Sequence, residues 1–505
     1  MTTIRSEFSP SPHGILVSLI IFFVLSSLLL LLTKFPPFMD EALFSDMTHR
    51  LIQGFDLSTS LFRDFIPEVE RHAYWYPPLY FLLLAPLVTI FGISVYAMRI
   101  LSLVAAATTL LLIFTVARQV FAKRWLGVIA VCLLVFDYYF QTGAVVGRME
   151  LVTILFGYAS IVTHLHFLKH RRQWLNVSSG TFAAAACMTH PTGSIFLLPI
   201  VCNLLFMQGK WQTKVGNLVA VVLPTIIAIG FWYGSFYSNW ESFLLQNQLQ
   251  LHRKQFGDIF LWQIFQFLPK QRLVLAGILL SEAVFLWRTI TNKQLHNAGQ
   301  RLLFFLVLTS SVLSVVLKEM WYIVYIPVVG VLAVADTCAW LWSKRPLVSG
   351  IVICAFLLPN VLLYFDGVGE SVVHRSEYAE LSRQIAAILP PNARVLLSSL
   401  PDPYFYLRQH RPDLDLRETP NSPPAEPIDP DVYNTILSQV EYVVFSYTLN
   451  RHLREYYQNN LEAIIFTQSA EAGYPLQIFK LKPPDQRLPV TPNADEVWQY
   501  PAAAR

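Results

Sequence analysis

Charge is scarce in this chain. Asp, Glu, Lys and Arg make up only 14% of the 505 residues, while 54% are hydrophobic. A water-soluble protein of this length needs a more polar surface, so that class is excluded. With a mean hydropathy of +0.46, the composition indicates a polytopic membrane protein. Cysteine is sparse too. Cys132, Cys187, Cys202, Cys338 and Cys354 all lie in apolar segments, at spacings that match no metal motif. They read as small core residues, neither disulfides nor ligands. The net charge is only +4, and no Lys/Arg block resembles a nucleic-acid surface. There is no Gly-rich phosphate loop, which argues against a nucleotide-dependent enzyme acting at the cytoplasmic face. No A-x-A cleavage site follows the first apolar run, about 15–33, so it reads as a retained span behind Arg5. Nor is there the inverted repeat that secondary transporters often carry.

Apolar runs are what the chain has instead. Spans need roughly 20 apolar residues. Eleven segments qualify as candidates: about 15–33, 99–117, 126–142, 151–168, 175–190, 194–209, 215–234, 270–288, 302–317, 321–342 and 347–364. Alternate loops carry the cations Arg118, Lys123 and Arg124; Lys169, Arg171 and Arg172; Lys210 and Lys214; Arg288, Lys293 and Arg301; and Lys344 and Arg345. Cytoplasmic loops are enriched in Lys and Arg. This rhythm therefore puts the N-terminus inside and the tail beyond 365 outside. The short, Pro-rich run 76–92 would invert every later loop if it crossed. It is expected to lie in, or dip into, the outer interface, within one large external loop, 34–98.

The tail, 366–505, is charged and Pro-rich, with an amphipathic helix expected over 376–389. Strand-like runs occur at 394–400, 442–447, 463–468 and 476–481, and a loose loop at 417–430. The expected architecture is an α-helical transmembrane domain, 1–365, followed by a small extracytoplasmic α/β domain, 366–505.

By the same count the unusual polar residues share the outer face. Asp40 and Glu41 stand side by side where the first span ends. Arg99 opens the second, and Arg148 and Glu150 lie between spans three and four. His190 closes span five, His252 and Arg253 occupy the loop after span seven, and Lys318 and Glu319 join spans nine and ten. Each has an ordinary explanation: an interfacial anchor, a helix cap, a snorkelling Lys, or an ion pair of Arg148 with Glu150 or Asp137. Together, acids at the first exit and cations at later ones suit a particular chemistry. Two carboxylates supply a general base and a group that places the acceptor. Converging cations hold an anionic leaving group. A lipid-linked phosphate as that group explains a site at the membrane boundary. Glycosyl transfer from a polyprenyl-phosphate sugar, with inversion, fits these requirements.

The stretches "MDEALFSDMTHRLIQG", "WYPPLYFLLLAPLVTIFGISVYAMRILS", "GRMELVTILFGYASI", "THPTGSIFLLP" and "KEMWYIVYIP" carry a resemblance. Over roughly residues 15–345 the chain resembles the GT-C superfamily of membrane glycosyltransferases, in particular relatives of protein O-mannosyltransferases and lipid A aminoarabinose transferases. The resemblance implies Asp40 as the base, Glu41 as the residue that helps place the acceptor, and Arg99 as the Arg opening the second span. With Arg148, His190, His252, Arg253 and Lys318, Arg99 is expected to bind the donor phosphate. The chain lacks the acidic-Lys-Pro-Pro motif of the aminoarabinose transferases and the Lys that follows Pro-Pro-Leu in the mannosyltransferases. The sugar, the acceptor (protein, lipid or polysaccharide) and a divalent metal therefore stay open. The expected setting is a bacterial inner membrane. The competing readings are a non-enzymatic lipid-linked glycan transporter or flippase and a transferase that has lost activity.

Overall fold

The computed structural model of the chain describes residues 11–32, 37, 39–54, 56–235, 237–255, 272–316, 320–373, 377–399, 402–418, 430–446, 456–457, 459–468 and 476–489. A backbone in hydrocarbon must satisfy its own hydrogen bonds, so the apolar runs become helices. In chain order these are α1 (Pro12–Leu32), α2 (Met39–Ile52), α3 (Leu79–Phe91), α4 (Val95–Phe121), α5 (Arg124–Val135) and α6 (Tyr138–Val145). Then come α7 (Glu150–His170), α8 (Gln173–Thr189), α9 (Ser194–Leu205), α10 (Trp211–Gly234) and α11 (Trp240–Gln255). The last four of the membrane region are α12 (Arg272–Thr291), α13 (Ala298–Val316), α14 (Tyr325–Lys344) and α15 (Pro346–Val373).

All eleven expected spans fall on helices. Among the described residues, however, only seven helices have the length and apolarity of a full crossing, or eight if a bent pair counts as one. That pair is α5 and α6, which meet at 66°. The break has a cause: Asp137 turns away from helical geometry and its carboxylate accepts the Phe140 N–H at 2.9 Å, starting a new helix inside an apolar run. The 13 residues of α3 rise about 20 Å at 1.5 Å per residue, short of a bilayer core of about 30 Å.

Inside the bundle, two buried arginines have polar partners. Arg288 bonds Asp336 at 2.7 Å and Arg301 bonds Asn203 at 2.8 Å. In lipid an unanswered charge is costly.

Beyond the bundle lie α16 (Glu377–Ile388), β1 (Arg394–Ser398), α17 (Tyr404–His410), β2 (Asp415–Glu418), α18 (Pro430–Gln439), β3 (Tyr442–Ser446), β4 (Leu461–Gln468) and β5 (Leu476–Leu481). The sheet order is β2-β1-β3-β5-β4. β1 is parallel to both β2 and β3, and α17 and α18 make the crossovers that parallel pairing requires. β5 runs antiparallel to β3 and β4. β2 corrects the expectation of a loose loop from 417: Arg417 and Glu418 are strand residues, while 419–429 lie outside the described residues.

The β2 edge of the sheet docks on the segment between α2 and α3 and on α2 itself. Arg63 bonds both oxygens of Asp415 at 2.7 Å, and Arg417 bonds Asp64 at 2.7 Å. The Glu418 N–H donates to the Leu61 carbonyl at 2.8 Å and the Gln409 amide to the Ile93 carbonyl at 2.6 Å.

Candidate active site

Asp40 and Glu41 occupy the first turn of α2. Adjacent residues on a helix point about 100° apart, so one helix start can aim two carboxylates at different surroundings. Glu41 points inward and its side chain has no solvent exposure. Arg99, on the first turns of α4, donates from Nε to Oε1 at 2.8 Å and from Nη2 to Oε2 at 2.7 Å. The Gly147 N–H adds a third bond to Oε1 at 2.7 Å. Glycine is needed at 147: a Cβ there would lie 2.4 Å from the Met98 Cβ and 3.1 Å from Glu41 Oε1. The same short segment is held from two further sides. The Tyr80 hydroxyl donates to the Gly147 carbonyl and the Ser102 hydroxyl to the Arg148 carbonyl, each at 3.2 Å.

Asp40 points the other way and keeps 18% of its side chain exposed. It pairs with Arg148, the residue after Gly147. Arg148 also grips Glu150, with Nη2 to Oε1 at 2.9 Å and Nε to both oxygens at 3.2 Å. One guanidinium thus bridges two carboxylates. Of the two expected partners for Arg148, Glu150 is the one present, since Asp137 caps α6 instead. As the second residue of α2, Asp40 also sits where the helix dipole favours a negative charge.

The stretch around Pro77 and Pro78 packs this helix start. Phe44 of α2 meets Tyr76, Tyr80 and Phe81 edge-on at centroid distances of 5.3, 5.6 and 5.9 Å. Its function here is to seat α2.

His190 lies just past α8. Its Nδ1 shares a hydrogen bond with Thr192 Oγ1 at 2.7 Å, and its Nε2 faces the Tyr322 hydroxyl at 3.3 Å. Thr192 Oγ1 is also 2.7 Å from the Tyr325 hydroxyl. Tyr325 is in turn within electrostatic reach of Glu150 and Arg148. Hydrogen bonds therefore join Tyr322, His190, Thr192 and Tyr325 in one chain, with the charges of Glu150 and Arg148 near its Tyr325 end.

The structure brings Asp40, Glu41, Arg99, Arg148 and His190 to one end of the bundle. Lys318 lies outside the described residues, as do the side chains of His252 and Arg253 on α11. The body of α11 still borders the segment between α2 and α3. Gln246 accepts the Tyr74 N–H at 2.8 Å and donates to the Pro67 and His72 carbonyls at 2.6 and 3.0 Å. Among the described residues no group of three or more His, Cys, Asp or Glu is arranged to hold a metal ion.

Sequence reasoning did not single out Gly147, Thr192, Tyr322 or Tyr325. The two tyrosines lie in the stretch noted for Lys318 and Glu319, but an aromatic there reads as interface packing. Only the three-dimensional junction with His190 marks them.

The model of the family described as Dolichyl-phosphate-mannose-protein mannosyltransferase matches residues 76–233. No curated protein matches the chain by sequence. Among solved structures, ArnT from Cupriavidus metallidurans bound to Undecaprenyl phosphate superposes with a TM-score of 0.59 at 14% identity, over 93% of this chain and 98% of that one. The same protein in its apo state gives 0.58 at 13% identity, over 92% and 98%. The S. cerevisiae protein O-mannosyltransferase Pmt1-Pmt2 complex bound to the sugar donor aligns over 47% of this chain and 35% of that one at 14% identity. Its TM-score of 0.37 is too low to establish a common fold. Whole-chain superposition gives the chain an ArnT-like fold, built on at least seven helices long and apolar enough to cross a membrane, and residues 76–233 are similar to the mannosyltransferase family.

Proposed function

We propose that this chain is an inverting glycosyltransferase that moves a sugar from a polyprenyl-phosphate donor to a hydroxyl of an extracytoplasmic acceptor. One observation carries the proposal: the acid pair divides its labour. Glu41 is sealed and held by three hydrogen bonds, while its neighbour Asp40 faces outward, ion-paired and accessible. A structural acid pair has no need of the exposed member; a general base does.

In the reaction Asp40 takes the proton of the acceptor hydroxyl. The acceptor oxygen attacks the anomeric carbon, the bond from that carbon to the phosphate oxygen breaks, and the lipid phosphate leaves with the electron pair. Attack from the face opposite the leaving group inverts the centre. Arg148 aligns Asp40 through their ion pair. Glu150 fixes Arg148. Arg148, His190 and Tyr325 line the side from which the donor phosphate is held, with Lys318, His252 and Arg253 as further cations. Arg99, committed to Glu41, supports the acid pair from behind. Glu41 places the acceptor indirectly, by fixing α2. A polyprenyl-phosphate donor is supported by the description of the matched family and by the ArnT structure with Undecaprenyl phosphate.

The site lies at the end of α4 and α7 opposite Arg118, Lys169 and Arg171. With the positive-inside rule, this supports an extracytoplasmic site and a cytoplasmic N-terminus; the short loops and the family likeness favour a bacterial inner membrane. In the same reading 1–365 is the catalytic transmembrane domain and 366–505 an extracytoplasmic one.

The test is transfer from radiolabelled polyprenyl-phosphate sugars in matched membranes, wild type against Asp40→Asn. Label reaching an acceptor only with Asp40 intact supports the proposal. Equal transfer by both removes Asp40 as the base. No transfer by either, across several sugars, favours the transporter reading.

A further inference from the structure

A second set of acids lies one and a half turns along α2 from the first. Asp46 is almost fully buried. Its Oδ2 accepts the Thr59 hydroxyl at 2.6 Å and the Ser60 N–H at 3.1 Å, and its Oδ1 accepts the Tyr404 hydroxyl at 3.2 Å. Tyr404 opens α17, in the C-terminal region. Just before it, Asp402 caps that helix by accepting the Tyr404 N–H at 2.8 Å. The Asp402 N–H reaches the Pro37 carbonyl at 3.3 Å, three residues before Asp40. Glu418, at the end of β2, hydrogen-bonds to the Asp402 side chain through its own, while its N–H holds Leu61. The C-terminal region thus grasps the base-bearing helix on both sides, at Pro37 and at Asp46.

Two carboxylates in contact need a proton between them. Glu418 and Asp402 are each 2% exposed, and Glu418 Oε1 is buried with no hydrogen-bond partner among the described residues. An ionised carboxylate left so would be very costly, whereas a neutral acid tolerates it. We propose that Asp402, Glu418 and Tyr404 are positioning residues, a one-proton clamp through which the C-terminal region holds α2 and with it Asp40. The clamp deepens the transferase reading and rests on it for the meaning of Asp40.

The surrounding groups give the sign. Burial, then the charge of Asp402, its hydrogen bond, and Asp46 push the Glu418 carboxyl well above the usual range. Burial pushes Asp402 up to about 6, opposed by the Tyr404 N–H and the Glu418 bond, with Glu41 adding to the rise. On α2, His49 lies beside Asp46 and within reach of Arg408; Arg408 itself lies over the Tyr404 ring at 5.9 Å. Arg63 and Arg417 are engaged with Asp415 and Asp64. Groups whose folded pKa is raised contribute stability at low pH and lose it as pH rises through that pKa. The clamp therefore holds while one proton remains and opens as pH climbs above the Asp402 range toward that of Glu418. There two carboxylates would face each other beside Asp46.

The experiment is hydrogen–deuterium exchange on the full chain in nanodiscs from pH 6 to 10, read on peptides covering 39–52 and corrected for intrinsic rate. Wild type is expected to lose protection in α2 at least several-fold at the alkaline end. Glu418→Gln, whose amide can donate to Asp402 without titrating, should keep it. Tyr404→Phe should lose part of it at every pH. Matching pH profiles for wild type and Glu418→Gln would overturn the clamp. A flat wild-type profile would overturn it too. In the transfer assay, Tyr404→Phe should lower kcat about five-fold, the equivalent of one hydrogen bond, with the donor KM unchanged. Exchange reads the clamp whether or not transfer occurs, so a failed Asp40→Asn test and a failed clamp are told apart.

Discussion

Glu41 and Arg99 form a bidentate ion pair at 2.7 and 2.8 Å with at most 1% of either side chain exposed. Such a pair is weak evidence for stability as a whole, but breaking one side leaves a buried charge unanswered. Glu41→Ala should therefore cost about 3–5 kcal/mol, and Arg99→Ala a similar amount. Replacing both, as Glu41→Leu with Arg99→Met, should recover much of the loss. Thermal unfolding in detergent, followed by tryptophan fluorescence, measures all three. A Glu41→Ala protein as stable as wild type would show that the pair does not support α2.

Asp40 predicts the opposite pattern. It is partly exposed and makes its ion pair at the rim, so Asp40→Asn should leave the unfolding temperature nearly unchanged. Transfer should fall by roughly 10²–10⁴, the usual contribution of a general base. Glu150→Gln weakens the hold on Arg148 without removing the base, and about a ten-fold fall in kcat with little change in donor KM is expected. If Glu150→Gln and Asp40→Asn cost the same, Glu150 is the base or shares its function.

Much of this was legible in the sequence. The alternation of basic loops placed the acids, Arg99, Arg148 and His190 at one end, and they do lie together. Helix α16 and four of the five strands follow from local pattern: period-3.6 apolar spacing for Glu377–Ile388, and short alternating or β-rich apolar runs for Arg394–Ser398, Tyr442–Ser446, Leu461–Gln468 and Leu476–Leu481. β2 was not legible, because "DLRE" spends its charges on tertiary partners: Asp415 on Arg63 and Arg417 on Asp64. The different fates of Asp40 and Glu41 were hidden as well. Their identical chemistry says nothing of which one meets the Gly147 N–H. The bend at Asp137 was masked by the apolar residues on both sides.

Gly147 offers a sharper test of the packing behind the site. A methyl group there would collide with the Met98 Cβ at 2.4 Å and crowd Glu41 Oε1. The colliding atom is close to a helix backbone and cannot swing away as the end of a long side chain would. Gly147→Ala should cost about 1–3 kcal/mol or more through overpacking. It should also displace Arg148, one residue on, so transfer should fall with stability. At Gly54, where nothing lies within 4 Å but φ is +87°, the cost of alanine should be backbone strain alone, of order 1 kcal/mol, with transfer intact. Equal effects at 147 and 54 on both assays would contradict the packing described here.

The docking of the C-terminal sheet makes a final, graded prediction. Arg63 and Asp415 are 26% and 36% exposed. Pairs of that kind are screened by water and contribute about 0–1 kcal/mol, so Arg63→Ala should barely change stability. Arg417 is 5% exposed and also bonds the Gln439 side chain at 2.8 Å. Losing it leaves Asp64, held at φ +67°, and Gln439 without a shared donor inside the interface. Arg417→Ala should cost several times more than Arg63→Ala, and the effect should persist at high salt, where the Arg63 pair is already screened. Limited proteolysis between the membrane region and the sheet, at low and high salt, reads both. Equal sensitivity of the two variants to protease would mean that the sheet is held by its backbone contacts at Leu61 and Pro37 and not by its buried arginine.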